Sequence, residues 1–176
     1  MSNTFLYFAY GSNLLTKRIH LSNPTAIKKN IGFIKNFRLD FNYYSRRWRG
    51  ASATIVPTKD YTVWGVVWEL DICNLETLDG QEGVADKIYF PFYVDVQIPE
   101  GSILNCRVYQ QCNIPTEFIK LKQLPQERKP SPFYLDTMIS GAQENDLPLE
   151  YIKFLNLIPN NSYDGEYDVN LPLREV

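Results

Sequence analysis

Brief connections between strand-like segments limit the topologies open to this chain more than any other feature of its sequence. Between residues 5 and 112, runs rich in aromatic and β-branched residues follow one another, mostly with only a few residues between them. Neighbouring parallel strands need a crossover of a dozen or more residues, so short links favour antiparallel pairing. Helical patterns take over in the last third, and the arrangement therefore predicts an α+β domain.

The strand pattern includes one predicted hairpin and one predicted capped helix. Residues 51–57 and 61–70 are expected to pair with each other because Thr58, Lys59 and Asp60 form a turn signal between them. Asp71 is expected to cap a helix that runs through Gly80. The complete set of strands expected from the pattern is 5–10, 26–44, 51–57, 61–70, 87–98 and 103–112.

Two further helices are predicted near the C-terminus. Ser131 followed by Pro132 is a good helix start, because proline in the first turn forfeits no intrahelical hydrogen bond. This helix should end near Asn145, and Asp146, Leu147 and Pro148 should start another. The proline-containing residues 115–130 are expected to connect, with at most a short helix. Core packing is expected for the apolar residues of the last helix, which are Leu149, Tyr151, Ile152, Phe154, Leu155 and Ile158.

Length and charge favour one domain with no general attraction to polyanions. The chain has 176 residues, 44% of them hydrophobic, so we expect a single domain over 1–176, with 159–176 as a tail whose behaviour the pattern does not predict. A net charge of −2 argues against nucleic-acid and anionic-membrane partners. Arg46, Arg47 and Arg49 surround Trp48 and could in principle bind nucleic acid, but a solvated hairpin loop is the favoured interpretation.

Cysteine usage and hydropathy indicate a cytoplasmic location. Cys73, Cys106 and Cys112 are odd in number and lack metal-ligand spacing, so neither a disulfide scaffold nor a structural zinc site is expected. No apolar stretch reaches transmembrane length, and the N-terminus lacks a secretory signal pattern. We therefore expect no membrane partner.

A strand that runs into a tight polar turn is the first candidate site. Residues 5–10 are strongly apolar and aromatic, Gly11 permits a backbone reversal, and Ser12 and Asn13 favour turns. If a helix begins near Leu14 or Leu15, its unpaired amides also face the turn. Such a turn can receive an anion, although an ordinary strand-to-helix connection has the same pattern.

Glu82 is the second candidate. It lies between Gln81 and Gly83, at the end of a short helical pattern and before the next strand. A carboxylate at the end of an element can be partly desolvated, which raises its pKa towards the range useful for proton transfer. A solvated surface glutamate is the competing interpretation.

Four separated sequence blocks resemble the γ-glutamylcyclotransferase family in order and spacing. The resemblance extends from about residue 5 to residue 158, is weakest after Pro159, and implies a small, mostly antiparallel β-barrel surrounded by helices. The turn reads YGSN, whereas the glutathione-specific enzymes look more like YGSL and the γ-glutamylamine enzymes more like YGTL. The four blocks are FLYFAYGSNLLTKRIH (5–20), VWGVVWEL (63–70), LDGQEGV (78–84) and SPFYLDTMISGAQENDLPLEYI (131–152).

The resemblance implies a reaction and a set of site residues. In this family the α-amino group of a γ-glutamyl dipeptide attacks its own side-chain carbonyl, giving 5-oxoproline and a free amino acid, with no cofactor or metal. Glu82 matches the family's general acid/base, and Tyr134 matches a substrate-contacting tyrosine. Tyr89 and Tyr109 are equally well explained as pocket wall or as core. The remaining substrate-binding residues implied are Tyr7, Phe8, Ala9, Tyr10, Gly11, Ser12 and Asn13.

Alternatives remain open at this point. The chain could be a glutathione-specific or γ-glutamylamine cyclotransferase, or a non-catalytic module that binds γ-glutamyl metabolites. Ser12 as a covalent nucleophile is disfavoured, because the sequence lacks a G-x-S-x-G elbow and offers only His20 as an imidazole base. The family resemblance also implies a homodimer.

Overall fold

The computed structural model describes residues 3–171, in which five strands close into a barrel. These strands are β1 (Thr4–Ala9), β2 (Ile27–Ser45), β3 (Gly50–Asp71), β4 (Tyr89–Gln97) and β5 (Ile103–Gln111). Their order around the barrel is β1-β3-β2-β4-β5. Only the pair that closes it, β1 with β5, is parallel, with Tyr7 opposite Arg107. These elements confirm the α+β class predicted from the strand and helix pattern and the mostly antiparallel barrel implied by the family resemblance.

The predicted hairpin of residues 51–57 with 61–70 is wrong. Both segments belong to β3, and both pair with β2, as Leu39 opposite Ile55 and Phe33 opposite Trp64 show. The register jumps from Lys35–Thr62 to Phe37–Pro57, so residues 58–61 bulge out of the ladder. Thr58, Lys59 and Asp60 lie in this bulge and do not reverse the chain, because β2 is long enough to pair with both halves of β3. The hairpin actually turns at residues 46–49, where a loop was expected.

Four α-helices within residues 3–171 cover the barrel. They are α1 (Thr16–His20), α2 (Leu75–Gln81), α3 (Pro132–Glu144) and α4 (Leu149–Asn156). Ser131 caps α3 as predicted, accepting a hydrogen bond from the Tyr134 amide at 3.2 Å. Asp71 does not act as a cap; a 3₁₀ turn over Ile72–Asn74 precedes α2 instead. Short 3₁₀ turns also occupy Ser12–Leu14, Leu121–Gln123 and Gln126–Arg128.

The last helix is only partly buried. Tyr151, Leu155 and Ile158 pack in the core as expected, whereas Leu149 and Phe154 are exposed. Residues 159–171 form neither helix nor strand, and Asn161 ties them to the β2–β3 turn by donating to the Arg49 carbonyl at 2.8 Å. The remainder of the predicted tail, 172–176, lies outside the described residues. None of the helices within residues 3–171 is long and apolar enough to cross a membrane.

Candidate active site

Two adjoining cavities lie at the end of the barrel where β1 ends and β4 begins. The smaller, of about 40 Å³, is called the inner chamber; the larger, of about 540 Å³, is called the outer cleft. Both are lined by Ser12, Glu82, Tyr89 and Tyr134. These shared residues mark a junction at which one ligand can occupy both spaces.

The polar turn after β1 forms one wall of the inner chamber. Asn13 is buried and fixed on three sides: its amide donates to the Tyr7 hydroxyl at 3.2 Å, its side-chain oxygen accepts from Gln81 at 3.0 Å, and its backbone oxygen accepts from Trp68 at 3.0 Å. A Cβ on Gly11 would stand 3.1 Å from the Tyr134 hydroxyl. Glycine at this position therefore lets that hydroxyl close onto the turn.

Glu82 reaches the turn because it directly follows α2. Its amide donates to the Leu78 carbonyl at 3.0 Å, which continues the helical pattern by one residue. Gly83 then takes a positive φ of 65°, which redirects the chain. Next to Glu82, the Gln81 side chain is held by both Asn13 and Asn23. These bonds fasten the end of α2 to the polar turn.

The surroundings of Glu82 bring its titration into the physiological range. Burial is the largest influence and raises the pKa of Glu82 from its usual 4.5 to about 7. The positive charge of Arg18 and a hydrogen bond from Tyr7 oppose this rise, while the negative charge of Asp79 adds to it. The residue as a whole remains partly exposed, through the cavities. A carboxyl group with this pKa can both accept and release a proton near neutral pH.

Tyrosine hydroxyls make up much of the chamber. Burial raises the pKa values of Tyr7, Tyr10, Tyr89 and Tyr134 above the usual value, so all four are neutral hydrogen-bonding groups. Tyr10 donates to the Tyr109 carbonyl and Tyr89 donates to the Ala53 carbonyl.

The Tyr134 hydroxyl has a proton to offer. Its oxygen accepts from the amide of Ala53 at 3.0 Å. Within residues 3–171 no group accepts its proton, so the O–H is left to donate to a ligand.

Most of the predicted site residues come together in the inner chamber, and two do not. Phe8 and Ala9 are fully buried in the core and line neither cavity. Tyr89 and Tyr109 each line the inner chamber and also pack in the core, so each residue belongs both to the pocket wall and to the core. The predicted residues that line the chamber are Tyr7, Tyr10, Gly11, Ser12, Asn13, Glu82 and Tyr134.

Arg18 was not foreseen from the sequence. It lines the outer cleft, is only 5% exposed, and lies over the Trp48 ring at 5.5 Å. Nothing in the sequence separates it from its basic neighbour Lys17, which is exposed. His20 lines neither cavity, and its Nε2 is hydrogen-bonded to the Ala26 carbonyl at 2.8 Å. Residues 3–171 contain no cluster of three or more side chains arranged to hold a metal ion.

Comparison with known proteins agrees with the resemblance drawn from the sequence blocks. The model of the AIG2-like family matches residues 62–155. Gamma-glutamylcyclotransferase from Bos taurus is 45% identical over 93% of this chain and 83% of its own length, and that from Homo sapiens is 42% identical over the same shares. A solved structure of a gamma-glutamyl cyclotransferase, 41% identical, matches with a TM-score of 0.84 over 93% of both chains. The chain therefore belongs to the γ-glutamylcyclotransferase family.

Proposed function

We propose that this chain converts γ-L-glutamyl-L-amino acids to 5-oxoproline and the free amino acid by intramolecular aminolysis. The observation that carries the proposal is the position of Glu82. Its carboxyl group, with a pKa of about 7, lies where the inner chamber meets the outer cleft. A substrate that contains its own nucleophile needs a proton shuttle at that point and a pocket that holds it curled.

Glu82 serves both proton transfers. As the substrate's α-amino nitrogen bonds to the γ-carbonyl carbon, the Glu82 carboxylate takes a proton from that nitrogen. When the bond between this carbon and the amide nitrogen breaks, the carboxylic acid returns the proton to the departing nitrogen. No net proton is consumed, so one carboxyl group completes the cycle.

The polar turn and Tyr134 hold the glutamyl arm and its developing charge. Gly11, Ser12 and Asn13 of the turn line the inner chamber, and Tyr134 offers the O–H that no described residue accepts. Neutral hydroxyl donors stabilise an oxyanion without adding a charge that would compete for the Glu82 proton. Tyr7 accepts a hydrogen bond from Asn13 and lines the inner chamber beside Glu82, so it joins the base and the turn in one wall.

The variant Glu82→Gln tests the proposal. We expect the rate of 5-oxoproline formation from γ-glutamyl-alanine, followed by mass spectrometry, to fall ~10²–10⁴-fold in a correctly folded protein. Glu76→Gln makes the same change at an exposed position of α2 and serves as the matched control. Near-normal turnover by Glu82→Gln would refute the assignment of the shuttle.

Two alternatives predict different results in the same assay. A non-catalytic module would bind γ-glutamyl compounds without forming 5-oxoproline, and it has no need of a carboxyl group poised for proton transfer. A cyclotransferase specific for glutathione or for γ-glutamylamines would share the chamber and differ in the outer cleft. Turnover of γ-glutamyl-alanine, glutathione and γ-glutamyl-ε-lysine, compared side by side, separates these.

We also propose a cytoplasmic location and a homodimer, without nucleic-acid or membrane partners. The cysteines support the location, because Cys73, Cys106 and Cys112 are all unpaired, as they would be in a reducing compartment. The homodimer rests on the family resemblance. Sedimentation velocity at micromolar concentration tests it, and a single species of 20.5 kDa would contradict it.

A further inference from the structure

Arg18 is a buried cation with no anionic partner among the described residues. It is 5% exposed, and its Nε atom lacks any hydrogen-bond partner. No carboxylate within residues 3–171 lies at ion-pair distance from it; Glu82 affects it electrostatically from farther away. An isolated buried charge is costly, so such a group fits a place that a ligand completes.

The position of Arg18 indicates which part of a substrate it faces. Arg18 lines the outer cleft but not the inner chamber, whereas Glu82 lines both. This step rests on the proposed function, in which the scissile amide lies at Glu82 and the glutamyl arm occupies the inner chamber. The amino acid that departs must then occupy the cleft, on the side of Arg18.

We infer that Arg18 binds the α-carboxylate of the amino acid that leaves. The planar guanidinium matches a carboxylate with two parallel hydrogen bonds, a geometry that lysine cannot reproduce. Trp48 lies against the guanidinium and orients it before the substrate arrives. Arg46 and Arg47 are exposed at the rim of the same cleft and add positive charge along the approach.

A specificity follows from this contact. A γ-glutamyl dipeptide presents a free carboxylate one residue after the scissile bond. In glutathione that carboxyl group is tied up in a further peptide bond, and a simple γ-glutamylamine has none. The guanidinium would be left buried and unpaired with either of these, so the chain should select dipeptides.

The experiment compares γ-glutamyl-alanine, its C-terminal amide and γ-glutamyl-ethylamine. For the unmodified protein we expect kcat/KM for the acid to exceed that for the amide and the ethylamine by about 10²-fold, mainly through KM. In Arg18→Gln the ratio of kcat/KM for the acid to kcat/KM for the amide should fall to near one, because the altered titration of Glu82 changes both values by the same factor while the carboxylate contact affects the acid alone. Lys17→Gln, which removes an exposed charge from the adjacent position of α1, should keep the preference for the acid.

Each outcome decides a separate question. If Arg18→Gln lowers turnover of all three compounds by the same factor, Arg18 does not recognise the leaving carboxylate. A preference near one in the unmodified protein overturns the inference by itself, so the test does not depend on the variant folding. If the unmodified protein forms no 5-oxoproline from any of the three, the proposed function fails instead. Arg18→Lys, which keeps the charge and loses the fork, should retain only part of the preference.

Discussion

Among single residues, Glu82 has the environment that sets the pH range of the proposed chemistry. Burial raises its pKa to about 7, and the charge of Arg18 is the largest opposing influence. The carboxylate form is the one that accepts the first proton, so the group must be ionised in the free enzyme for catalysis to begin. The charge of Arg18 therefore affects the pH dependence of activity, because it lowers the pKa of Glu82.

This link predicts a pH profile. We expect kcat/KM to rise with pH through a limb with its midpoint near 7, because the carboxylate form of Glu82 increases over that range. In Arg18→Gln the midpoint should move to higher pH, since the lost positive charge had lowered the pKa of Glu82. Initial rates of 5-oxoproline release between pH 5 and pH 9 measure both midpoints. A limb near pH 4 in the unmodified protein would point to an unperturbed carboxyl group and contradict the assignment.

At the level of single residues, the sequence offered candidate site residues only where a motif was present. The turn at 10–13 and Glu82 lie within matched blocks, and the structure brings them together in one chamber. Arg18 lies within a matched block too, but its identity as a basic residue on a short helix is equally typical of a solvated surface. Burial by Trp48 is what distinguishes Arg18 from Lys17, and that contact joins residues 30 positions apart, which no local pattern contains.

At the scale of elements, the close approach of α3 to the polar turn fixes the geometry of the chamber. Gly141 of α3 faces the backbone of Leu14 and Leu15, and a Cβ there would stand 2.7 Å from the Leu14 Cβ and nearer still to the backbone. Tyr134 lies on the same helix, and its hydroxyl lies against the turn, 3.1 Å from where a Cβ on Gly11 would stand. The absence of a side chain at Gly141 thus lets α3 deliver Tyr134 to the turn.

Gly141→Ala should therefore weaken both the fold and the site. Overpacking of this kind costs about 1–3 kcal/mol, and the better helix propensity of alanine offsets at most about 1 kcal/mol of it. Gly80→Ala is the matched control: Gly80 also lies in a helix, but its missing Cβ meets no atom within 4 Å, so the same change should stabilise by roughly 0.5–1 kcal/mol. Urea unfolding of both variants gives the comparison, and equal midpoints would show that α3 and the turn are not tightly packed.

Element boundaries followed from the sequence where local chemistry decides them. Ser131 and Pro132 start α3 because both act within its first turn. The hairpin assigned to residues 51–57 and 61–70 failed for a non-local reason: whether Thr58, Lys59 and Asp60 reverse the chain depends on the length of β2, the strand that pairs with both halves. A local turn signal cannot report how far its partner strand extends.

For the molecule as a whole, barrel closure was implied by the resemblance and not by the strand pattern. The pattern gives short connections and hence antiparallel neighbours, but closure depends on the parallel contact between β1 and β5, the first and last strands. Residues that meet there are about 100 positions apart, as Tyr7 and Arg107 are. This closure also brings Tyr7 and Tyr109 together, with ring centroids 5.8 Å apart, as part of the chamber wall.

The pKa of Glu82 has a consequence for the stability of the whole molecule. In the unfolded chain this carboxyl group has its usual pKa of 4.5, against about 7 in the folded state. Between these values the folded state binds more protons than the unfolded one, so the free energy of unfolding falls as pH rises through this window. Below pH 4.5 the group costs nothing; above pH 7 the full cost applies, roughly 3–4 kcal/mol.

Glu82→Gln should consequently gain stability relative to the unmodified protein as pH rises, while losing activity. We expect the difference in unfolding free energy between the two to move in favour of the variant by roughly 2–3 kcal/mol between pH 5 and pH 8. Urea unfolding at both pH values measures it, with Glu76→Gln as the control for losing an exposed carboxylate from α2. A difference independent of pH would mean that Glu82 ionises as easily in the fold as in water. Such a result would contradict a proton shuttle with a pKa near neutrality. The expected pH dependence would instead show that the folded state loses free energy of unfolding in order to keep the Glu82 carboxylate buried.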